Sequence, residues 1–96
     1  MENIIQNSIA IPKKFTNYIE KLSFEVSARL NLITFMLLDN IDNIEMFKKI
    51  QSEYQEFFIQ FQLAKSLLEE TYIKPNFKNI LSWELDYELS EVIIYG

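Results

Sequence analysis

Among 96 residues there is no cysteine and no histidine, and only one glycine and two prolines. Without cysteine and histidine, disulfides, structural zinc sites, haem or iron–sulfur ligation by those residues and the usual nucleophile–histidine pairs are excluded together. The single glycine is Gly96, so internal turns fall to asparagine, the next residue that tolerates left-handed backbone. Basic residues are also scarce. Nine lysines and arginines face fourteen acids, for a formal charge of −5, and phosphate binding needs a basic patch. A general nucleic-acid binder is therefore not expected; neutral or basic partners fit better. Long apolar runs are missing as well: Leu30 to Leu38 is interrupted by Asn31 and Thr34, well short of the roughly 20 residues a spanning helix requires. The first residues, Met1-Glu2-Asn3-Ile4-Ile5-Gln6-Asn7, lack the basic and apolar regions of a signal peptide. The expectation is a cytoplasmic protein with no membrane partner.

What is present is apolar and aromatic in quantity, 49% and 15% of the chain, which demands a folded core. A chain of this length makes one domain, and folding buries only about 60 to 65% of its surface. So high an apolar fraction implies that a partner covers part of it, as a homo-oligomer or a hetero-complex.

Pro12 and Pro75 bound a helical territory, since each forbids helix continuation and Pro75 biases Lys74 away from helical angles. The cluster Asp39-Asn40-Ile41-Asp42-Asn43 divides it. Asn40 is suited to end a helix, and Asp42 with Glu45 reads as a capping box. Two helices are predicted, roughly 13–38 and 43–73, about 39 and 46 Å long and antiparallel because their connection is short. In the second, Phe47, Ile50, Tyr54, Phe57, Phe61, Ala64 and Leu68 form a heptad seam, while Phe58, Ile59, Leu63 and Leu67 lie off it. In the first, Ile19, Leu22, Val26, Ile33 and Leu37 form one stripe and Phe24, Ala28, Leu32 and Phe35 another. One partner helix cannot cover both; the second faces must pack on the terminal segments or on another molecule.

After Pro75 the period changes to two: Trp83, Leu85 and Tyr87 alternate with Glu84, Asp86 and Glu88, and Val92-Ile93-Ile94-Tyr95 follows. This pattern predicts a β-hairpin over about 81–95, with the apolar residues facing the helices and the acids facing out. Its turn lacks Asn-Gly chemistry. Glu2 to Ile11 is a candidate third strand through Ile9 and Ile11. The predicted class is α+β, mainly α: a long antiparallel helical hairpin with a small C-terminal β-hairpin.

Catalytic and metal readings are poor. Glu53 and Glu56, with Glu20, Glu25 or Glu69, lack the Glu-x-x-His pairs of carboxylate-bridged metal sites, and Asp39, Asp42 and Glu45 lack the glycine of a calcium loop. No glycine-rich or oxyanion-type loop accompanies any serine, lysine or tyrosine. Neither a catalytic role nor a cofactor is expected. The segment of more interest holds Trp83, Tyr87 and Tyr95 with Glu84, Asp86, Glu88 and Glu91, four acids without a lysine or arginine. It reads either as a solvated strand face or as a surface for a cationic segment of a partner, with the backbone around Ile93 offered to an extended peptide.

The aromatic-rich helix containing Tyr54-Gln55-Glu56-Phe57-Phe58 and Leu67-Leu68-Glu69-Glu70, followed by Trp83-Glu84-Leu85-Asp86-Tyr87-Glu88 and a closing apolar strand, resembles small accessory proteins associated with radical S-adenosylmethionine maturases of ribosomally synthesised peptides. The resemblance spans about residues 20–95. It implies a noncatalytic adaptor that holds the maturase, its precursor peptide or both, the iron–sulfur cluster belonging to the partner. From composition alone two other readings stand: a self-associating regulatory or phage-derived inhibitor whose acidic face mimics nucleic acid, and a precursor whose Val92-Ile93-Ile94-Tyr95-Gly96 is processed.

Overall fold

The computed structural model describes residues 6–39 and 41–96. Its elements are β1 (Gln6–Ala10), α1 (Lys13–Leu38), α2 (Ile44–Leu68), a π-helical turn (Glu69–Ile73) that prolongs α2, β2 (Ser82–Asp86) and β3 (Glu91–Tyr95). The architecture is mainly helical α+β: an antiparallel helical hairpin with a small antiparallel sheet.

α1 starts on Pro12, which holds φ −53° and ψ 131° at the N-cap; the Pro12 carbonyl accepts the N–H groups of Phe15 and Thr16 at 2.9 and 3.2 Å. The stop expected from Asn40, and the part of the candidate first strand before Gln6, lie outside the described residues. α2 is capped by Asn43, not by the expected Asp42: Asn43 Oδ1 accepts the Met46 N–H at 3.0 Å. An N-cap oxygen must reach the donor two or three residues on, and the helix begins one residue too late for Asp42. At the other end Lys74 remains helical, with φ −58° and ψ −40°, against the extended backbone expected before Pro75. The π-turn explains this: Lys74 N–H reaches back five residues to the Glu69 carbonyl at 2.9 Å. A wider turn relieves the clash between a proline ring and the carbonyl four residues before it.

All seven seam residues of α2 are withdrawn from full exposure, and Ala64 and Leu68 are buried. In α1, Ile19 and Leu22 are buried and Val26 and Ile33 half-buried, but Leu37 is exposed and Met36 takes its place in the seam. Alternating steps of three and four from Ile19 run through Leu22, Val26, Arg29 and Ile33 to Met36, and the expected stripe missed this by passing over Arg29. Arg29 also sits in this seam. Its guanidinium lies 4.4 Å from the centre of the Phe57 ring, pairs with Glu25 at 2.6 Å and reaches Glu53 across the hairpin at 3.8 Å. The stripe of Phe24, Ala28, Leu32 and Phe35 stays exposed; the described parts of the terminal segments do not cover it.

The sheet order is β1-β3-β2. β3 pairs antiparallel with β1, Ser8 opposite Ile93, and with β2, Glu84 opposite Ile93. The candidate first strand therefore exists, and it occupies one side of β3. The hairpin turn at residues 87–90 replaces Asn-Gly chemistry with two devices. Asp86 Oδ1 accepts the Leu89 N–H at 3.0 Å, and Ser90 adopts a left-handed φ of 54°. Between α2 and β2, Asn79 does the turn work expected of asparagine, at φ 57°.

The core joins Ile11, Ile19, Leu22, Ala64, Leu68, Ile73, Val92 and Ile94, all where the sheet meets the base of the hairpin. A buried polar knot closes it. Ile11 N–H donates to the Ser90 carbonyl at 2.8 Å, Ser90 Oγ donates to the Ile11 carbonyl at 2.7 Å, and Thr16 Oγ1 lies 2.8 Å from Ser90 Oγ. Each hydroxyl also has a backbone carbonyl to donate to, Ile11 for Ser90 and Lys13 for Thr16 at 3.0 Å, so either hydroxyl can be the donor between the two side chains.

Two measurements check this core. Leu68→Ala, at a fully buried position, is expected to cost about 2 to 5 kcal/mol. Ser90→Ala keeps the strained φ and leaves buried partners unpaired, for about 1 to 3 kcal/mol. Ser90→Gly loses the same bonds but relieves the left-handed backbone, worth about 1 kcal/mol. Urea denaturation should therefore rank the variants wild type, then Ser90→Gly, then Ser90→Ala.

Candidate functional site

Strand alternation sorts the eight residues singled out in the sequence. Trp83 pairs with Ile94 on the inner face and packs, half-buried, against the core together with Tyr87. Both still reach solvent, Trp83 in the cleft inside β2 and Tyr87 in the concavities on either side of it. The opposite face carries Glu84, Asp86, Glu91, Ile93 and Tyr95, because Glu84 pairs with Ile93 and Asp86 with Glu91. Glu88 lies in the turn, exposed, and so continues the acidic row without belonging to a strand.

The expectation that the backbone at Ile93 is free to pair with a peptide is corrected. β3 is the central strand, and Ile93 stands between Ser8 and Glu84; both sides of its backbone are occupied. Among the described residues the free edges belong to β1 and β2, each paired on one side only. Proline at Ile93 would break the sheet itself.

β2 runs between two concavities. On its inner side a cleft of about 710 Å³ lies between the strand and α2, lined by Phe61, Gln62, Lys65, Ser66 and Glu69 from the helix and by Trp83 and Leu85 from the strand. On its outer side a groove of about 430 Å³ brings together Glu20, Glu84, Asp86 and Glu88 around Leu85, Tyr87 and Ile93. Four carboxylates lining one groove make a local field that favours a cation. The sequence offered Glu20 only as a candidate metal ligand and not as part of this surface; it is brought from α1 by the way the turn docks on that helix. Lys13 secures the docking, donating through Nζ to the Tyr87 carbonyl at 2.8 Å. No linear signal announces Glu20 or Lys13, which lie more than sixty residues from the acidic hairpin.

On the acidic face Tyr95 donates its hydroxyl to Glu84 Oε1 at 2.6 Å. That hydrogen bond holds the phenol above its ordinary range, with desolvation and the carboxylate charge acting in the same direction. Asp86 is likewise committed, through the turn bond to Leu89. The face is thus partly ordered before any partner arrives. Among the described residues there is no group of three or more acids placed to hold a metal ion, and no helix is long and apolar enough to cross a membrane. Chemically, the arrangement provides an unpaired strand edge flanked by negative charge and by an aromatic-backed cleft.

No family model matches the chain. No curated protein and no solved structure matches it either.

The Tyr95 bond has a signed consequence. A phenol whose folded value is raised contributes stability below its unfolded value of about 10, and that contribution is lost as pH rises through the folded value. Phenolate absorbance should show one tyrosine titrating above that range. Tyr95→Phe should remove this step, and Glu84→Gln should move it down.

Proposed function

We propose that the chain is a noncatalytic binding subunit that captures an extended, basic peptide segment along the free edge of β2. The observation that carries the reading is the position of that edge: among the described residues β2 pairs only with β3, and it runs beside a groove lined by Glu20, Glu84, Asp86 and Glu88. Main-chain hydrogen bonds to an added strand supply affinity that does not depend on peptide sequence. The carboxylates supply preference for lysine or arginine on the outer side, and the cleft backed by Trp83 and Leu85 accepts the side chains that alternate inward.

This capture fits the adaptor role implied by the resemblance to accessory proteins of radical S-adenosylmethionine maturases. The peptide would be a precursor awaiting modification, and the enzyme, with its own cluster, the second partner. A cytoplasmic setting belongs to the same proposal. Neighbouring genes for a radical maturase and a short precursor support that part of the reading, and their absence removes it while leaving peptide capture intact.

Capture is tested with an eight-residue peptide alternating lysine and valine. Its association with the wild type is compared with that of a variant carrying Glu84→Gln, Asp86→Asn, Glu88→Gln and Glu91→Gln. Each replacement keeps an acceptor oxygen, so the Tyr95 and Leu89 bonds survive and folding is preserved. Association should slow by about tenfold or more at low salt, with a flatter salt dependence. N-methylation of alternate peptide residues should abolish binding in one of the two registers. Equal rates and salt slopes would remove the acidic face from the mechanism, and indifference to both N-methylation registers would remove the strand edge.

A further inference from the structure

From residue 23 to residue 63 no described residue is buried, although this stretch holds most of the hairpin. Two helices alone shield only the seam between them. The chain's surface is 7227 Å², about a quarter more than the roughly 5,800 Å² of a compact monomer of this mass. Its radius of gyration is 17.1 Å, against about 13 Å for a compact chain of 100 residues.

The two flanks of the hairpin differ. At about 100° per residue, one flank carries Lys21 and Glu25 beside Arg29 and Glu53, which pair across the seam. The groove on that flank is lined by helix residues alone, Tyr18, Lys21, Leu22, Glu25, Phe57 and Gln60. The opposite flank carries exposed Leu30, Leu37, Ile44 and Phe58, with Phe47 and Tyr54 half-buried beside them. No acid or base stands among these six. At the base this same flank is the one the sheet covers, since Ile19, Gln62, Lys65 and Ser66 line the cleft beneath β2. This flank is therefore one continuous face, roofed by the sheet at the base, where Lys65 and Glu69 lie, and uncharged where it is open, from about Ser23 to the tip.

We propose that a second copy of this chain covers the open part, the two hairpins stacking antiparallel into a four-helix bundle. Two features favour a copy over another occupant. The surplus surface exceeds the roughly 800 Å² that each partner gives to a standard interface. The face is also self-complementary in the antiparallel sense. A parallel stack would drive two sheets into the same space, because both project from the same flank at the same end; an antiparallel stack sets each tip before the other copy's sheet. The open span, about 24 Å along α1, centres near Leu30, which then meets its own counterpart at the two-fold axis. On α2 the centre falls near Ser52. This surface is distinct from the β2 edge, and its failure would leave the peptide-capture reading standing.

The test uses the whole chain. Sedimentation equilibrium across about a hundredfold concentration range should give twice the 11.5 kDa of one chain. The combined Leu30→Glu and Phe58→Glu variant should shift to monomer with its helical signal and Trp83 emission retained, because both positions are exposed in the single chain. The absence of native cysteine permits a second measurement that does not depend on that variant. Leu30→Cys should oxidise readily to a disulfide-linked dimer, and Tyr18→Cys, equally exposed but on the charged flank, should not. A monomer at every concentration, an assembly larger than two, a dimer that survives both glutamates, or equal oxidation at positions 18 and 30 would overturn the proposal.

Discussion

The fold depends on a few buried hydrogen bonds at the base of the hairpin, where Ser90, Thr16 and the Ile11 backbone meet. They join three segments that are remote in sequence: the exit from β1, the first turn of α1 and the turn leading into β3. A serine with left-handed backbone is an unfavourable choice by itself. Here the conformation aims the side chain at the Ile11 carbonyl and the backbone carbonyl at the Ile11 N–H. Without that arrangement the sheet has no fixed attachment to α1, and Val92 and Ile94 have no reason to lie over Ile19 and Leu68. Lys13 adds an exposed tie from the helix start to the same turn, so the attachment also sets where the acidic groove forms.

Seen from this attachment, the molecule has two ends of different character. At the base, helix, strand and turn bury eight apolar residues in one cluster. Toward the tip, the seam is closed by half-buried side chains and by Arg29, whose charge is met by Glu25 and Glu53 and whose plane covers Phe57. A guanidinium in an otherwise apolar seam fixes how the helices are matched and adds little to their stability, because desolvation offsets much of the Coulomb gain.

Much of the architecture was legible in the residues. α1 coincides with its predicted limits because Pro12 and the polar cluster after Leu38 punctuate the chain unambiguously. Strand alternation correctly separated Trp83 and Leu85 from Glu84 and Asp86, since the period of two survives any choice of neighbours. The misplacements have local causes. Asp42 and Asn43 are both competent caps, and only the start of the helix decides between them. Lys74 escaped the rule for residues before proline through a π-turn that no composition announces. Strand order could not be read at all: β3 looks like a terminal edge strand in the sequence, and only the return of β1 to its outer side makes it central. The groove suffered in the same way, because Glu20 joins the acidic hairpin through tertiary packing. Of the site, the acidic row was visible and the available edge was not.

The central place of β3 has a consequence for biosynthesis. Gln6 ends up opposite Tyr95, so β1 waits for a partner translated more than eighty residues after it. At about 5 to 20 residues per second, that interval is on the order of 4 to 17 s. During it α1 and α2 can form and pair through contacts close in sequence, while the base of the hairpin still lacks the strand that completes its core. The nascent chain therefore shows its apolar helices to the cell well before it can close its sheet.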